Sequence, residues 1–233
     1  MSDFKRYFRQ LGLSHFGEEG QKRLSEAHIV LVGVGGVGSA TLPLLAGAGI
    51  GKITIVDPDT VADHNLHRQT LYLESEVGKS KAEIAAERFR RMNSQINIIP
   101  VKLRIEDVDT AQNVIAGADF CIDATDSFGA RTLISQACKN AGVKEIMSSA
   151  QGFISQLILF GEDYYLPSLV ADESAFIEAP RGLPIFGPAA HLSGVWGAGM
   201  AIRVIAQNAR FEIGLFRYFD QERGAYFNAN FRR

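Results

Sequence analysis

Apolar positions follow two alternating patterns over roughly the first 150 residues: short dense runs, and longer stretches where they recur every three or four residues. His28–Val32 (HIVLV) predicts a strand, which passes straight into a glycine-rich turn and an apolar helix reaching Ala48. Lys52–Val56 (KITIV) predicts a second strand that ends at Asp57. Within Gly78–Asn93, Ala82, Ala85, Ala86 and Phe89 share one helical face and the charges take the other. Ile96–Val101 predicts a third strand, and Pro100, which cannot donate to a ladder, assigns it to a sheet edge or a strand end. A helix over Thr110–Ala116, a strand over Asp119–Asp123, a helix over Gly129–Ala141 and a strand over Val143–Ser148 complete the series. Strands alternating with helices imply parallel pairing through right-handed crossovers.

The two ends of the chain depart from this alternation. Residues 1–26 are polar, with Phe4, Phe8, Leu11 and Leu13 at helical spacing, and predict an N-terminal helical arm laid on a neighbouring surface. Gly152–Phe160 alternates with period two, as an antiparallel strand does. Asp163–Pro188 carries four prolines (167, 180, 184 and 188) and little periodicity, so it reads as a long crossing loop of the kind that is usually functional. Ser193–Asn208 predicts a helix rich in small residues, and Phe216–Phe231 a terminal hairpin.

Charge and composition then narrow the classes of function. Lys and Arg number 24 against 26 Asp and Glu, a net charge of −2, so there is no bulk basic field for nucleic acid. The opening MSDFKRYFRQ carries an acidic residue and has the form of neither a signal peptide nor a transit peptide. The longest apolar stretches, Ile29–Val37 and Thr41–Ile50, are broken by glycine and too short to span a membrane. These features lead to the expectation of a cytoplasmic protein with neither nucleic-acid nor membrane partners. Cys121 and Cys138 are the only cysteines; they form no CxxC, and both read as small buried hydrophobes.

The chemistry starts at Gly33-Val34-Gly35-Gly36-Val37-Gly38, in which Gly33, Gly35 and Gly38 fit GxGxxG between a strand and a helix. The first glycine permits the tight turn, the second lets a phosphate approach the backbone, and the third lets helix pack on strand. The free N–H groups of the helix N-terminus favour an anion there. Asp57, about 20 residues further on at a strand end, is placed to accept from ribose hydroxyls. The expected fold is therefore α/β and Rossmann-like: a mostly parallel sheet flanked by helices, with antiparallel C-terminal strands and an N-terminal arm. One domain over 1–233 is expected, with an arm (1–26), a nucleotide-binding half (27–150) and a substrate-side elaboration (151–233) holding the crossing loop 163–188.

By itself the glycine motif would predict a dinucleotide dehydrogenase. Three further clusters argue for a different reaction: Asp57-Pro58-Asp59 with Asn65-Leu66-His67-Arg68-Gln69, then Gly78-Lys79-Ser80-Lys81, then Asp123-Ala124-Thr125-Asp126-Ser127. Hydride transfer needs no guanidinium, ammonium and carboxylate around the phosphates. Nucleotidyl transfer does, because cations offset charge developing on phosphate and a carboxylate can hold Mg²⁺. Each residue also has a plainer reading. Arg9 could be a solvated helix face, and Lys79 and Lys81 ordinary surface charges. Asp126 and Asp59 could cap the segments that follow them. His67 and His191 read as structural, and Asp123 as a support for the metal ligand.

In order along the chain, Arg6-Tyr7-Phe8-Arg9-Gln10, Gly33–Gly38, Asn65–Gln69, Lys81 and Asp123–Asp126 resemble five motifs of one family. They are the RYxRQ, GxGGxG, NLxRQ, GxxK and DxTD segments of the adenylyltransferases that include ubiquitin-activating (E1) enzymes and bacterial ThiF, MoeB and HesA proteins. The resemblance runs from residue 6 to about 160 and resumes from Gly187-Pro188 through Ile205. It implies that a substrate carboxylate attacks the α-phosphate of ATP, giving an acyl-adenylate and pyrophosphate. Asp57 would hold the ribose, with Asp59 beside it, and Gly33, Gly35, Gly36 and Gly38 would cradle the phosphates. Asn65, Arg68, Gln69 and Lys81 would contact those phosphates, and Asp126 would bind Mg²⁺. Arg9 would reach the ATP of a neighbouring subunit, so a homodimer is implied, and Arg9, Arg68, Lys81 and Asp126 form the implied catalytic set.

The chain also departs from the family. Most relatives that activate ubiquitin-like sulfur carriers bind zinc through two CxxC pairs, and here the first position reads Gly161-Glu162-Asp163-Tyr164-Tyr165-Leu166-Pro167. No zinc is expected. No cysteine follows Cys138, so a thioester relay is not expected either. The acceptor expected first is a small-molecule biosynthetic carboxylate, as in the zinc-free relative that adenylates a guanylylpyridinol carboxylate. The alternative is the C-terminal glycine of a ubiquitin-like sulfur carrier, received in an apolar groove. An inactive scaffolding half of a heterodimeric activating enzyme is the non-catalytic alternative, but such halves lose the catalytic residues that this chain keeps.

Overall fold

The computed structural model describes residues 4–169 and 184–232. After a short 3₁₀ turn, α1 (Phe8–Leu11) and α2 (Gly17–Glu26) form the N-terminal arm. The nucleotide-type half follows as β1 (His28–Val32), α3 (Gly38–Ala48), β2 (Lys52–Val56), α4 (Lys81–Met92), β3 (Asn97–Val101), α5 (Val108–Ile115), β4 (Phe120–Asp123), α6 (Phe128–Ala141) and β5 (Lys144–Gln151). Then come β6 (Ile154–Phe160), α7 (Leu166–Leu169), α8 (Gly187–Gln207), β7 (Leu215–Asp220) and β8 (Ala225–Asn230).

The strands form one sheet in the order β3-β2-β1-β4-β5-β6-β7-β8. β1 to β5 pair in parallel, and β5-β6, β6-β7 and β7-β8 are antiparallel. Pro100 lies in β3, opposite Ile55, and β3 is an outer strand as its proline requires. β1 and β4, each flanked by a parallel strand on both sides, are buried nearly throughout, which explains their unbroken apolar runs. One face of the sheet packs α3, α4 and α8 through Leu42, Leu45, Ala85, Phe89 and Ala198; the other packs α5 and α6 through Ile115, Ile134 and Ala137.

Several boundaries differ from the sequence expectation for local reasons. α4 starts at Lys81, because Gly78 has φ +87° and Ser80 Oγ accepts from the Glu83 N–H as the N-cap. α8 starts at Gly187, with Pro188 in its first turn, where the pattern had suggested crossing loop. Most of the expected loop 163–188 lies outside the described residues. In the arm, the apolar spacing of Phe4, Phe8, Leu11 and Leu13 does not mark the buried face. Tyr7 and Phe16 are buried, while Phe8 and Leu13 are 73% and 56% exposed. Tyr7 is drawn in by the Asn93 amide, which donates to its hydroxyl at 2.9 Å. Among the described residues no helix is long and apolar enough to cross a membrane.

Candidate nucleotide and phosphate site

The glycine loop joins β1 to α3 at the carboxyl ends of the parallel strands, the position where such sheets bind ligands. Gly33 has φ +90°, and a Cβ there would lie 2.8 Å from the Ala124 carbonyl oxygen. A Cβ on Gly38 would collide with the Gly33 carbonyl oxygen. The loop thus closes tightly on itself and against the segment leaving β4. Gly35 and Gly36 face Asn65–Gln69. A Cβ on Gly35 would lie 3.4 Å from Gln69 Nε2, and one on Gly36 3.5 Å from Arg68 Cγ.

Asp57 is buried and already engaged. One carboxylate oxygen accepts the Val34 N–H at 2.8 Å, and the other accepts the Asp59 N–H at 2.9 Å. Burial pushes its carboxyl above the ordinary range, although Lys81 and these N–H groups pull the other way. Asp57 therefore shapes the glycine loop itself, a role the spacing of the motif did not reveal. Tyr72, which sequence reasoning passed over, adds to this by donating its hydroxyl to the Val34 carbonyl at 2.8 Å.

The segment Asn65–Gln69 is a single helical turn, with the Asn65 carbonyl accepting from the N–H groups of Arg68 (3.1 Å) and Gln69 (3.0 Å). Asn65 and Gln69 are buried, and Gln69 Oε1 has no partner among the described residues. Arg68 Nη1 donates to the His64 carbonyl and to His67 Nε2, and His191 Nε2 donates to the Arg68 carbonyl at 2.9 Å. His67 and His191 accordingly hold Arg68 in place, in line with their structural reading.

Lys81 is buried, unlike the surface charge its neighbour Lys79 proves to be. Asp59–Val61 pairs with Gly78–Lys81 through backbone hydrogen bonds, which brings Lys81 Nζ to 3.3 Å from Asp59 Oδ2. Asp59 caps no helix; it is shared with Arg104, at 3.2 Å, a cation that no sequence motif marked.

Asp126 is exposed on the segment that leaves β4 beside Gly33. It does not cap the next helix, because Ser127 does, accepting the Ala130 N–H at 3.1 Å. That leaves the Asp126 carboxylate available at the mouth. Asp123 is fully buried behind it and accepts both the N–H and the hydroxyl of Thr125 on Oδ1. Burial raises its pKa against the pull of Arg131 and Thr125. One exposed carboxylate beside a phosphate cradle fits Mg²⁺, which takes one or two carboxylates and completes its shell with phosphate and water.

Arg9 stands apart from this cluster. Its neighbour Gln10 donates to the Ala48 carbonyl at 2.9 Å, at the far end of α3 from the glycine loop. Eleven helical residues separate the two ends, about 16 Å at 1.5 Å per residue, beyond the reach of an arginine side chain.

At the position of the family's first zinc pair, Arg232 bridges Glu162 at 2.7 Å and Asp163 at 2.5 Å. This donor set does not fit a structural zinc site, which takes thiolate and imidazole. Cys121 and Cys138 are buried and unbridged, and burial holds the Cys138 thiol well above its ordinary range.

A mostly parallel sheet with a glycine-rich turn at its strand ends, approached by Arg68 and Gln69, defines a Rossmann-like α/β protein. The ThiF family model matches residues 7–231, and the chain belongs to the ThiF family. Molybdopterin-synthase adenylyltransferase of Salmonella typhimurium is 40% identical over 155 residues, covering 66% of this chain and 62% of that protein. SAMP-activating enzyme E1 of Haloferax volcanii is 36% identical over 151 residues, 65% of this chain and 56% of that one. The match thus spans less than two thirds of the length of these relatives. Among solved structures, E. coli MccB with ATP superposes with a TM-score of 0.82 at 23% identity, covering 97% of this chain and 71% of that one, a likeness of fold.

Proposed function

We propose that this protein is an ATP- and Mg²⁺-dependent adenylyltransferase that activates a substrate carboxylate as an acyl-adenylate. The observation that carries the reading is the approach of Arg68 and Gln69 to Gly36 and Gly35, with Lys81 buried and Asp126 exposed on the segment that leaves β4 against Gly33. A carboxylate oxygen of the acceptor attacks the α-phosphorus of ATP, the bond to the bridging oxygen of pyrophosphate breaks, and a mixed anhydride forms. Arg68 and Lys81 offset the charge that builds on the transferred and leaving phosphates, while Asn65, Gln69 and the loop N–H groups hold them in line. Asp126 would hold Mg²⁺, which would offset phosphate charge. Buried thiols leave no candidate for a thioester step, so the acyl-adenylate itself is the product.

The position of Arg9 supports a homodimer in which Arg9 of the partner subunit completes each site. Phe8 and Leu13, left exposed beside it, are apolar surface for that contact.

The acceptor read first from the sequence is a small-molecule carboxylate. An exposed aromatic cluster favours the other reading. The Phe216 ring lies 6.4 Å from Tyr218, 6.1 Å from Phe227 and 5.4 Å from Phe231, and the last two are about half exposed. Such a patch suits a protein or peptide surface, and the molybdopterin-synthase adenylyltransferase and SAMP-activating E1 relatives point the same way. The C-terminal carboxylate of a small carrier protein is therefore the acceptor we favour. Thermal shift tests the nucleotide: ATP with Mg²⁺ is expected to raise the melting temperature more than NAD does, and a preference for NAD would refute the reading.

A further inference from the structure

Under the segment Ala124–Asp126 lies a group of charged side chains that the proposed reaction does not use. β4 and β5 pair in parallel with Cys121 opposite Glu145 and Asp123 opposite Met147, so Asp123 and Glu145 project from one face of the sheet. Both are completely buried. Carboxylates are seldom found there without a compensating partner. Glu145 Oε2 accepts from Ser135 Oγ at 2.5 Å, and Asp123 Oδ1 accepts from Thr125, but Glu145 Oε1 and Asp123 Oδ2 have no partner among the described residues.

Arg131, on α6 over the same face, is the cation that acts on both carboxylates. Its Nη2 donates to the Thr125 carbonyl at 2.6 Å, and its buried Nε is also without a partner. The ion pairs within 4.0 Å among the described residues do not include Arg131 with either carboxylate. Buried polar groups that stand apart, each with an open hydrogen-bonding atom, are what an enclosed bridging water satisfies. On its other side, Glu145 reaches the crossing segment. Ser135 Oγ, which donates to Glu145, accepts the N–H of Leu166 at 3.0 Å, and Leu166 opens α7.

We propose that Glu145 is a positioning residue for the adenylation site: with Asp123 it fixes Arg131 through a buried water, and Arg131 holds the Thr125 carbonyl so that Asp126 stays aimed at the glycine loop. The proposal rests on the reading of Asp126 as the Mg²⁺ ligand. Nothing in the family motifs marks Glu145, and its role follows from its place beneath the loop. Through Ser135 it also ties the loop to the root of the crossing segment, so the two sides of the site are set by one buried group.

The test compares Glu145→Leu, Glu145→Gln, Ser135→Ala and Asp126→Ala as full-length proteins, in pyrophosphate exchange at varied Mg²⁺ and in thermal melts. Outer partners of metal ligands commonly account for about 10–100-fold in metal affinity or activity. Glu145→Leu is therefore expected to lower kcat and raise the half-saturating Mg²⁺ concentration within that range. The KM for the acceptor stays unchanged, and the melting temperature falls by no more than the loss of the Ser135 hydrogen bond accounts for. Glu145→Gln, whose amide keeps the Ser135 contact and can bond the water, is expected to recover most of the lost kcat. Ser135→Ala is expected to shift kcat in the same direction by less. A folded Glu145→Leu protein with wild-type kcat and Mg²⁺ response overturns the proposal. If that variant does not fold, wild-type values in both Glu145→Gln and Ser135→Ala overturn it, and a fall in Ser135→Ala sustains it. Full activity in Asp126→Ala instead overturns the metal reading on which the proposal rests.

Discussion

Lys81→Met keeps the buried aliphatic stem of the side chain and removes only the ammonium. The structure separates what that group contributes to folding from what it contributes to chemistry. Among the described residues, the one acidic side chain within ion-pair distance of Lys81 Nζ is Asp59 at 3.3 Å, whose side chain is 51% exposed. Solvent screening holds such a pair to about 1 kcal/mol or less, and Asp59 keeps Arg104 at 3.2 Å when the lysine is gone. In a chain of this size about 1 kcal/mol moves the melting temperature by roughly 2–4 °C. A cation positioned against charge that develops at phosphate is worth about 10²–10³ in rate, or roughly 2.7–4 kcal/mol. The variant should therefore melt within a few degrees of wild type while its saturating exchange rate falls by two to three orders of magnitude. Exchange kinetics and thermal melts on the same preparation check this. A near-wild-type rate, or a loss of rate matched by loss of folded protein, would refute the assignment of Lys81 to the transition state.

Two other outcomes follow from the geometry. Arg9→Ala and Lys81→Ala proteins should each be inactive, yet mixing them should restore about a quarter of wild-type activity, because half of randomly formed dimers then hold one intact site. No recovery after verified subunit exchange contradicts an arm that works in trans. Glu145 supplies a pH dependence: burial, and then the nearby Asp123, hold its carboxyl well above the ordinary value of 4.5. The native state then keeps a proton that the unfolded chain has released, so stability falls as pH rises from 4.5 toward the raised native value. Glu145→Gln lacks this loss, and its advantage in melts should grow as pH rises above about 4.5, whereas parallel curves would contradict a raised carboxyl.

What could be read in the sequence was local in origin. The strand-to-helix glycine turn, the outer position of the strand holding Pro100, and the switch to antiparallel pairing at Gly152–Phe160 each follow from backbone chemistry or from period. The five clusters at the site were legible as residue types, and the fold brings four of them together at the strand ends. Periodicity could not show that Lys81 is buried, since this depends on Asp59–Val61 pairing with Gly78–Lys81. Nor could it show that Ser127, rather than Asp126, caps α6, because both sit at plausible cap positions. The arm misled for a similar reason. Tyr7 is buried by a hydrogen bond from Asn93, 86 positions away, and no helical spacing records that. Glu145 lies in a strand whose other buried residues are apolar or small, and only the register beside Cys121 places it under the Asp126 segment.

Incorporation of labelled pyrophosphate into ATP tests the central claim most directly. The measurement takes the full chain with Mg²⁺ and a panel of acceptors: small biosynthetic carboxylates on one side, carrier proteins ending in Gly-Gly on the other. Label is expected in ATP only when an acceptor is present, with a carrier protein giving the largest signal, and Asp126→Ala is expected to abolish it. Exchange with a small carboxylate alone would return the acceptor to the small-molecule class. No exchange with any member of the panel, from protein that still binds ATP, would contradict carboxylate adenylation and leave the chain as a nucleotide-binding scaffold.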